Sequence, residues 1–188
     1  MAGLDAIRML VCEPTGVSRW FDHFGVARVH RGLIIGPYPL DASDVGVLTT
    51  AGVDEVYNLC QDVEYRDGPR AGEVAGREIV VEALAAAGIS ERRLPLPDYG
   101  GLPPAAIDQV VADVRAALDA DRTVYLHCRA GWQRSASMAA AVMSDEGDLP
   151  IDDTLRVLRM RKPTAEPLAH QRADLLAWRA ARSVRSDP

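Results

Sequence analysis

The stretch from Thr123 to Gly147 constrains the fold more than any other. Thr123–His127 (TVYLH) is a short β-branched and aromatic run that reads as a strand, and Ser135 to Glu146 reads as a helix stopped at Gly147. Only the loop 128–134 separates them. The rest of the chain repeats this alternation. Val26–Val29 and Leu33–Ile35 read as strands around a turn at His30-Arg31-Gly32, Asp41 to Ala51 as a helix capped by Asp41 or Ser43 and stopped by Gly52, and Val53–Leu59 as a buried strand. Arg77 to Ala87 reads as an Ala-rich helix ended by Gly88, with Arg93–Leu96 extended after it. Pro103-Pro104 suits a helix start, and Ile107, Val110, Val111, Val114 and Leu118 follow at helical spacing. Two further helices, near 151–162 and 168–182, flank the loop that holds Pro163 and Pro167. Strands alternating with helices predict an α/β fold: a central, mainly parallel twisted sheet flanked by helices.

Composition narrows the function classes. The chain has 188 residues, 48% apolar and 26% charged, with no internal repeat or low-complexity linker, which suits one soluble domain. A net charge of −6 argues against generic nucleic-acid binding, and no apolar run is long enough for a membrane span. The cysteines, at 12, 60 and 128, are odd in number and have no short-spaced pair, so neither a disulfide framework nor a zinc knuckle is expected. No metal ligand set or cofactor motif is seen; His23, His30 and His170 are scattered. The amino terminus lacks the pattern of a signal peptide, so a reducing cytoplasm is the expected compartment, with leaderless export left open. Oligomeric state is not legible.

The charges are unevenly placed. Lys162 is the single lysine among 21 basic residues. Residues 1–121 carry ten bases and nineteen acids, while residues 122–188 carry eleven bases and eight acids. The scarcity of lysine and the abundance of alanine fit a GC-rich genome. The basic final third fits a local anion site within an acidic protein.

The loop between strand and helix supplies that site. It reads His127-Cys128-Arg129-Ala130-Gly131-Trp132-Gln133-Arg134-Ser135. A cysteine six residues before an arginine occurs easily by chance; adding the His, Gly and Ser lowers the expectation to about 10⁻⁵ with positions treated as independent. A loop running from a strand end to a helix start aims several backbone N–H groups at one spot. Gly131 lets the backbone curl around an anion, and Arg134 offers a planar fork to two phosphoryl oxygens. The same donors favour Cys128 as a thiolate nucleophile, and Ser135 can hydrogen-bond the sulfur as it departs.

These residues resemble the protein tyrosine phosphatase superfamily, whose signature is H-C-x5-R-[ST], and the Arg-Ser ending is similar to its dual-specificity branch. The likeness runs from about Trp20 to Trp178. It implies an extension over residues 1–16 and a catalytic domain over 17–188. It further implies Cys128 as nucleophile, Arg134 as phosphoryl clamp, Ser135 as helper of thiolate departure and His127 as a residue that orients the loop. Arg129, Ala130, Gly131, Trp132 and Gln133 then surround the phosphate. Leu96-Pro97-Asp98-Tyr99-Gly100 is similar to the family's W-P-D loop with Leu96 in place of Trp, which makes Asp98 the candidate general acid and then base; the alternative is a turn residue after proline. Gly100 and Gly101 are expected to let this loop move. Arg161-Lys162-Pro163-Thr164-Ala165-Glu166-Pro167 with His170-Gln171 resembles the R-x-P-x-x-x-P…Q segment of the branch. Gln171 either positions the hydrolytic water or faces solvent.

Other residues carry paired readings. Cys60 ends Tyr57-Asn58-Leu59-Cys60, which resembles a strand of the tensin-type phosphoinositide phosphatases; it is either a buried inert thiol or a redox partner that bridges an oxidised Cys128. Cys12 is taken as structural. Trp132 either stacks on an aromatic or sugar substrate or simply packs. Asp62, Glu64, Asp67 and Glu73 read as solvated surface or, if near the pocket, as a cluster that favours basic peptide flanks over anionic lipids. Arg161, Lys162 and Arg172 lie on a segment expected beside the phosphate loop.

The expected activity is a metal-independent phosphomonoesterase with a cysteinyl-phosphate intermediate, acting on a phosphorylated protein (phosphotyrosine, with or without phosphoserine and phosphothreonine) or a small phosphomonoester. The alternatives are a phosphoinositide or phosphorylated-carbohydrate phosphatase, a phosphate-binding pseudophosphatase without turnover, and a sulfurtransferase or arsenate reductase.

Overall fold

The computed structural model describes residues 16–66 and 77–186. Cys12, Asp67, Glu73 and nearly all of the expected N-terminal extension lie outside the described residues. Within them, five short strands form one sheet: β1 (Ala27–His30), β2 (Leu33–Gly36), β3 (Glu55–Asn58), β4 (Ser90–Arg93) and β5 (Val124–His127), in the order β1-β2-β5-β3-β4. β1 and β2 make an antiparallel hairpin, and the other three pairings are parallel. The sheet is therefore mainly parallel, as the alternation of strands and helices predicted.

Burial explains which runs became strands. β2, β3 and β5 are buried at every position, as expected where helices cover both faces. Their side chains alternate between two cores. Leu33, Ile35, Tyr57, Leu59, Val124 and Leu126 face one, and Ile34, Val56 and Tyr125 face the other. β4 is the edge, and its sequence SERR alternates between exposed and half-buried positions. The extended run expected at Arg93–Leu96 pairs three residues earlier. A charged edge strand carries no apolar signature. The apolar Leu96 serves the loop beyond it, where its N–H donates to Leu59 O at 3.0 Å.

The helices are α1 (Arg19–Phe24), α2 (Ala42–Thr50), α3 (Asp62–Arg66), α4 (Arg77–Ala86), α5 (Pro104–Asp119), α6 (Arg134–Gly147), α7 (Ile151–Arg161) and α8 (Ala169–Ser186). α2 and α4 bury Val45, Leu48, Val80 and Leu84 on one face of the sheet; α5 to α8 cover the other. Asp41, not Ser43, caps α2: its carboxylate accepts from Ser43 N and Asp44 N at 2.8 and 3.0 Å. α1 and α3 were not expected, since six and five residues are too few to show helical periodicity.

α6 sits at the centre and is buried from Arg134 to Ser144. Ala136, Ala139, Ala140 and Ala141 are fully buried there, so this part of the alanine excess is packing. Small side chains let a helix approach the sheet and its neighbours closely. That central placement puts the start of α6 directly at the end of β5.

Candidate active site

The loop 128–133 between β5 and α6 is held by its carbonyl groups. Tyr38 N donates to Arg129 O at 3.1 Å, Glu166 N to Trp132 O at 2.9 Å, and Ser137 N to Gln133 O at 2.8 Å. In a trans peptide the following N–H points opposite to its carbonyl. The N–H groups of Ala130, Gln133 and Arg134 are thereby turned away from the Tyr38, Glu166 and Ser137 N–H donors. Gly131 has φ +71°, and a Cβ there lies 2.4 Å from the carbonyl carbon of Gly36. Only glycine fits so close to β2 in this conformation.

Cys128 is 3% exposed, and its Sγ lies 3.4 Å from Ser135 Oγ. His127 Nδ1 lies 3.4 Å from Cys128 O and 3.9 Å from Cys60 Sγ, with its ring stacked on Tyr125. Burial, reinforced by the charge of Arg134, pushes the His127 ring down to about 3, so it is neutral at working pH. A neutral, enclosed imidazole can orient the loop but carries no charge to the sulfur.

Arg134 is fully buried, and its fork has two occupied sides. Nη1 donates to Glu64 Oε1 at 2.7 Å, Leu96 O at 2.9 Å and Leu59 O at 3.3 Å; Nη2 donates to Glu64 Oε2 at 2.7 Å and lies 2.9 Å from Asp98 Oδ1. Nε has no partner among the described residues. Burial works against the guanidinium charge, but the hydrogen bonds to Glu64 and the charge of Cys128 outweigh it, leaving the group above its ordinary pKa. A buried donor without a partner is costly. The edge bearing Nε and Nη2 is thus suited to an oxyanion, with Asp98 already on part of it.

Glu64 corrects the reading of the acidic cluster as solvated surface. It is 4% exposed, and its Oε1 also accepts from Gln61 N at 2.8 Å. A fully buried arginine requires a carboxylate partner, and that requirement is the signal that could have prompted a search for one. Asp62 fits the surface reading better: its carboxylate is largely exposed and meets Arg93 at 2.7 Å.

The loop after β4 brings in Asp98. Tyr99 has φ +56°, and Gly100 N donates back to Pro97 O at 3.1 Å, closing a tight turn. The loop is tied at its glycine end. Gln171 Nε2 donates to Gly100 O at 2.9 Å, His170 Nε2 lies 3.1 Å from the same oxygen, and Asp174 accepts from Leu102 N at 2.7 Å. Gln171 is fully buried, which removes the solvent-facing reading. Its Oε1 accepts from Leu168 N at 3.2 Å and Ser137 Oγ at 3.4 Å, so its amide fastens the Asp98 loop to α8 and does not reach the pocket.

Cys128, Arg134 and Asp98 line one pocket of about 230 Å³, together with Arg129, Ala130, Trp132 and Gln133. Trp20, Phe24 and Tyr99 line it as well, and none of the three was expected. Trp132 is 38% exposed and meets Phe24 edge-on at 5.0 Å, so it both packs and faces the opening. A larger cleft of about 550 Å³ between α7 and α8, lined by Asp152, Arg156 and Arg172, contains none of the reactive groups.

The 162–167 segment lies beside the phosphate loop as expected, with Glu166 N donating to Trp132 O at 2.9 Å, but the cations of the basic tail turn elsewhere. Arg161 donates to Val29 O, Lys162 to the carbonyls of Phe24 and Gly25, and Arg172 pairs with Asp152; none lines the pocket. The positive charge at the pocket is that of Arg129 and Arg134. Cys60 is a free, fully buried thiol pushed up by burial and by Glu64 and Cys128. The β3–β5 register pairs Asn58 with His127, which brings Cys60 close behind the loop. Among the described residues no group of three or more potential ligands could hold a metal ion.

The family described as "Dual specificity phosphatase, catalytic domain" matches residues 71–181. Among solved structures, human DUSP28 superposes with a TM-score of 0.66 at 22% identity, covering 85% of this chain and 99% of that one. PTPMT1 gives 0.72 at 20% identity over 86% and 98%. Kinase associated phosphatase (KAP) gives 0.69 at 17% identity over 84% and 94%. These likenesses establish a tyrosine phosphatase-like fold. No curated protein sequence matches the chain.

Proposed function

The chain belongs to the dual specificity phosphatase catalytic-domain family, which makes it a cysteine-based phosphatase, and from that premise we propose that it hydrolyses protein phosphotyrosine, with phosphoserine and phosphothreonine as further substrates. The catalytic unit is assigned to residues 17–188. The observation that carries the reading is the meeting of a cysteine sulfur, a buried guanidinium edge and a carboxylate in one pocket.

The steps follow from those positions. The substrate phosphoryl group displaces Asp98 from Arg134 and takes Nε and Nη2, while the loop N–H groups bind its remaining oxygens. The Cys128 thiolate attacks phosphorus, the P–O bond to the leaving group breaks, and Asp98 gives that oxygen its proton. Water then attacks the cysteinyl phosphate and loses a proton to Asp98. The S–P bond breaks, and the Ser135 hydroxyl, 3.4 Å away, hydrogen-bonds the departing thiolate. Arg134 cannot turn aside during this cycle, because Glu64 holds its other edge at two points.

The aromatic rim and a loop with Arg129 as its one basic variable residue suit an aryl phosphate better than a polyanionic headgroup. PI(5)P, the ligand of a PTPMT1 complex, defines the competing class. A panel of p-nitrophenyl phosphate, phosphotyrosine, phosphoserine and phosphothreonine peptides and phosphoinositides, assayed with EDTA, tests the reading. Peptide turnover that survives EDTA and is abolished in Cys128→Ser, which still binds substrate, is the expected result. Turnover confined to phosphoinositides overturns the substrate assignment, and loss of activity in EDTA overturns the mechanism.

A further inference from the structure

Lys162, the single lysine of the chain, is buried where α7 ends and takes no part in the steps above. Its Nζ donates to Phe24 O at 2.6 Å and Gly25 O at 2.9 Å, the last carbonyls of α1. Helix C-termini leave such carbonyls without intrahelical donors, and a cation there also meets the negative end of the helix dipole. Burial pulls the ammonium down to about 8, opposed by the charge of Cys128. Neighbouring Arg161 donates to Val29 O at 2.8 Å, so two successive cations hold the chain on both sides of the turn from α1 into β1.

The other end of α1 is held separately. Ser18 N and Oγ donate to the Asp44 carboxylate at 2.9 and 2.7 Å. Between these anchors lie only six helical residues, too few to be stable alone. They present Phe21 to the core, and Trp20 and Phe24 to the catalytic pocket. Phe24 stands between Trp20, at 4.3 Å, and Trp132, at 5.0 Å, closing an aromatic wall beside Cys128. The backbone carbonyl of that same Phe24 is the shorter of the two bonds made by Lys162.

We propose that Lys162 is a specificity-determining positioning residue: it pins the C-terminal end of α1 so that Phe24 and Trp20 stand as a wall that favours aryl over alkyl phosphates. The inference rests on the phosphatase reading above. Nζ touches neither the phosphoryl group nor the leaving oxygen, so its effect falls on substrate binding and leaves the chemical steps intact. Lysine suits the task because one compact ammonium reaches two adjacent carbonyls without a planar fork to accommodate.

Lys162→Met, compared with wild type on a phosphotyrosine peptide and its phosphoserine counterpart, tests this. KM for the phosphotyrosine peptide is expected to rise about tenfold, the scale of one lost aromatic contact. The phosphoserine KM, both kcat values and the inhibition constant for vanadate are expected to stay unchanged, and Lys162→Arg to restore part of the loss. Phe24→Ala should reproduce the same aryl-selective rise, with no further rise in the double variant. Equal loss on both substrates, a fall in kcat, weaker vanadate inhibition or additive single effects overturns the proposal. Should Lys162→Met fail to fold, Lys162→Gln, which keeps a donor for these carbonyls, decides: a smaller aryl-selective rise in KM supports the proposal and an equal change on both substrates overturns it. A wild-type protein that turns over neither peptide overturns the phosphatase reading instead.

Discussion

Glutamine at position 64 perturbs the pair on which the orientation of Arg134 depends. Glu64→Gln keeps the size and shape of the side chain and one acceptor for Arg134 Nη1 and Gln61 N. It replaces the Oε2 contact to Nη2, 2.7 Å in the native protein, by an amide N–H facing another N–H. Both partners are out of solvent, 0% and 4% exposed at the side chain, so screening gives no relief. Breaking one side of such a pair costs about 3–5 kcal/mol. Asp98, 2.9 Å from the same nitrogen, supplies some of the missing charge, which places the expected loss near the lower bound, about 3 kcal/mol. At about 2–4 °C per kcal/mol for a chain of this size, Tm falls by about 6–12 °C. Urea denaturation followed by tryptophan fluorescence measures the loss directly. Arg156→Gln, which removes the exposed pair with Asp153, serves as control with less than about 1 kcal/mol expected. A loss in Glu64→Gln no larger than in that control would falsify the view that Arg134 depends on Glu64 for its charge balance. Turnover should drop with stability in Glu64→Gln, because a fork held at one point presents Nε and Nη2 less exactly to the phosphoryl oxygens.

The acid, the loop and the buried histidine give three further outcomes. Asp98→Ala should lower kcat by about 10²–10⁴ on a phosphoserine peptide and by less on p-nitrophenyl phosphate, whose leaving group needs no proton; equal losses on both mean that Asp98 is not the acid. Gly131→Ala combines a positive φ with a Cβ 2.4 Å from Gly36, so a destabilisation of about 2–4 kcal/mol and loss of vanadate binding are expected, whereas a variant that binds vanadate normally contradicts the tight-loop geometry. His127 is held near 3 in the folded chain against 6.5 unfolded, so the unfolded state binds the extra proton between those values. Its contribution to stability is full above pH 6.5 and drains as pH falls towards 3. His127→Phe should flatten that part of the stability profile between pH 6.5 and 4.5, and an unchanged slope assigns the acid sensitivity to other groups.

Legibility from sequence followed the range of the contacts. The residues His127 to Ser135 are contiguous, so one strand end, one glycine and one helix start were enough to place thiol, hydroxyl and guanidinium together. Asp98 was legible through its Pro-Asp loop, although its seat on Arg134 was not. Glu64 lies 70 positions from Arg134 and Lys162 lies 138 from Phe24, and neither spacing leaves a local pattern. Gln171 is legible by its place in the tail, but its bond to Gly100, 71 positions away, is not. β4, an edge strand made largely of charges, has no apolar rhythm to mark where it begins.

Local sequence was enough to show the alternation of strands and helices, the mainly parallel sheet and the strand–loop–helix that brings Cys128, Arg134 and Ser135 together at the end of β5. Those features depend on local propensity, turn residues and a compact motif, all written within a few residues of one another. The identity of the carboxylate beside Arg134, the helix that lines the pocket and the anchoring of the single lysine on the end of α1 emerged from packing in three dimensions. Each of those is a burial problem: a charge or an aromatic ring removed from water must find a partner, and the partner is chosen by the packing of distant elements.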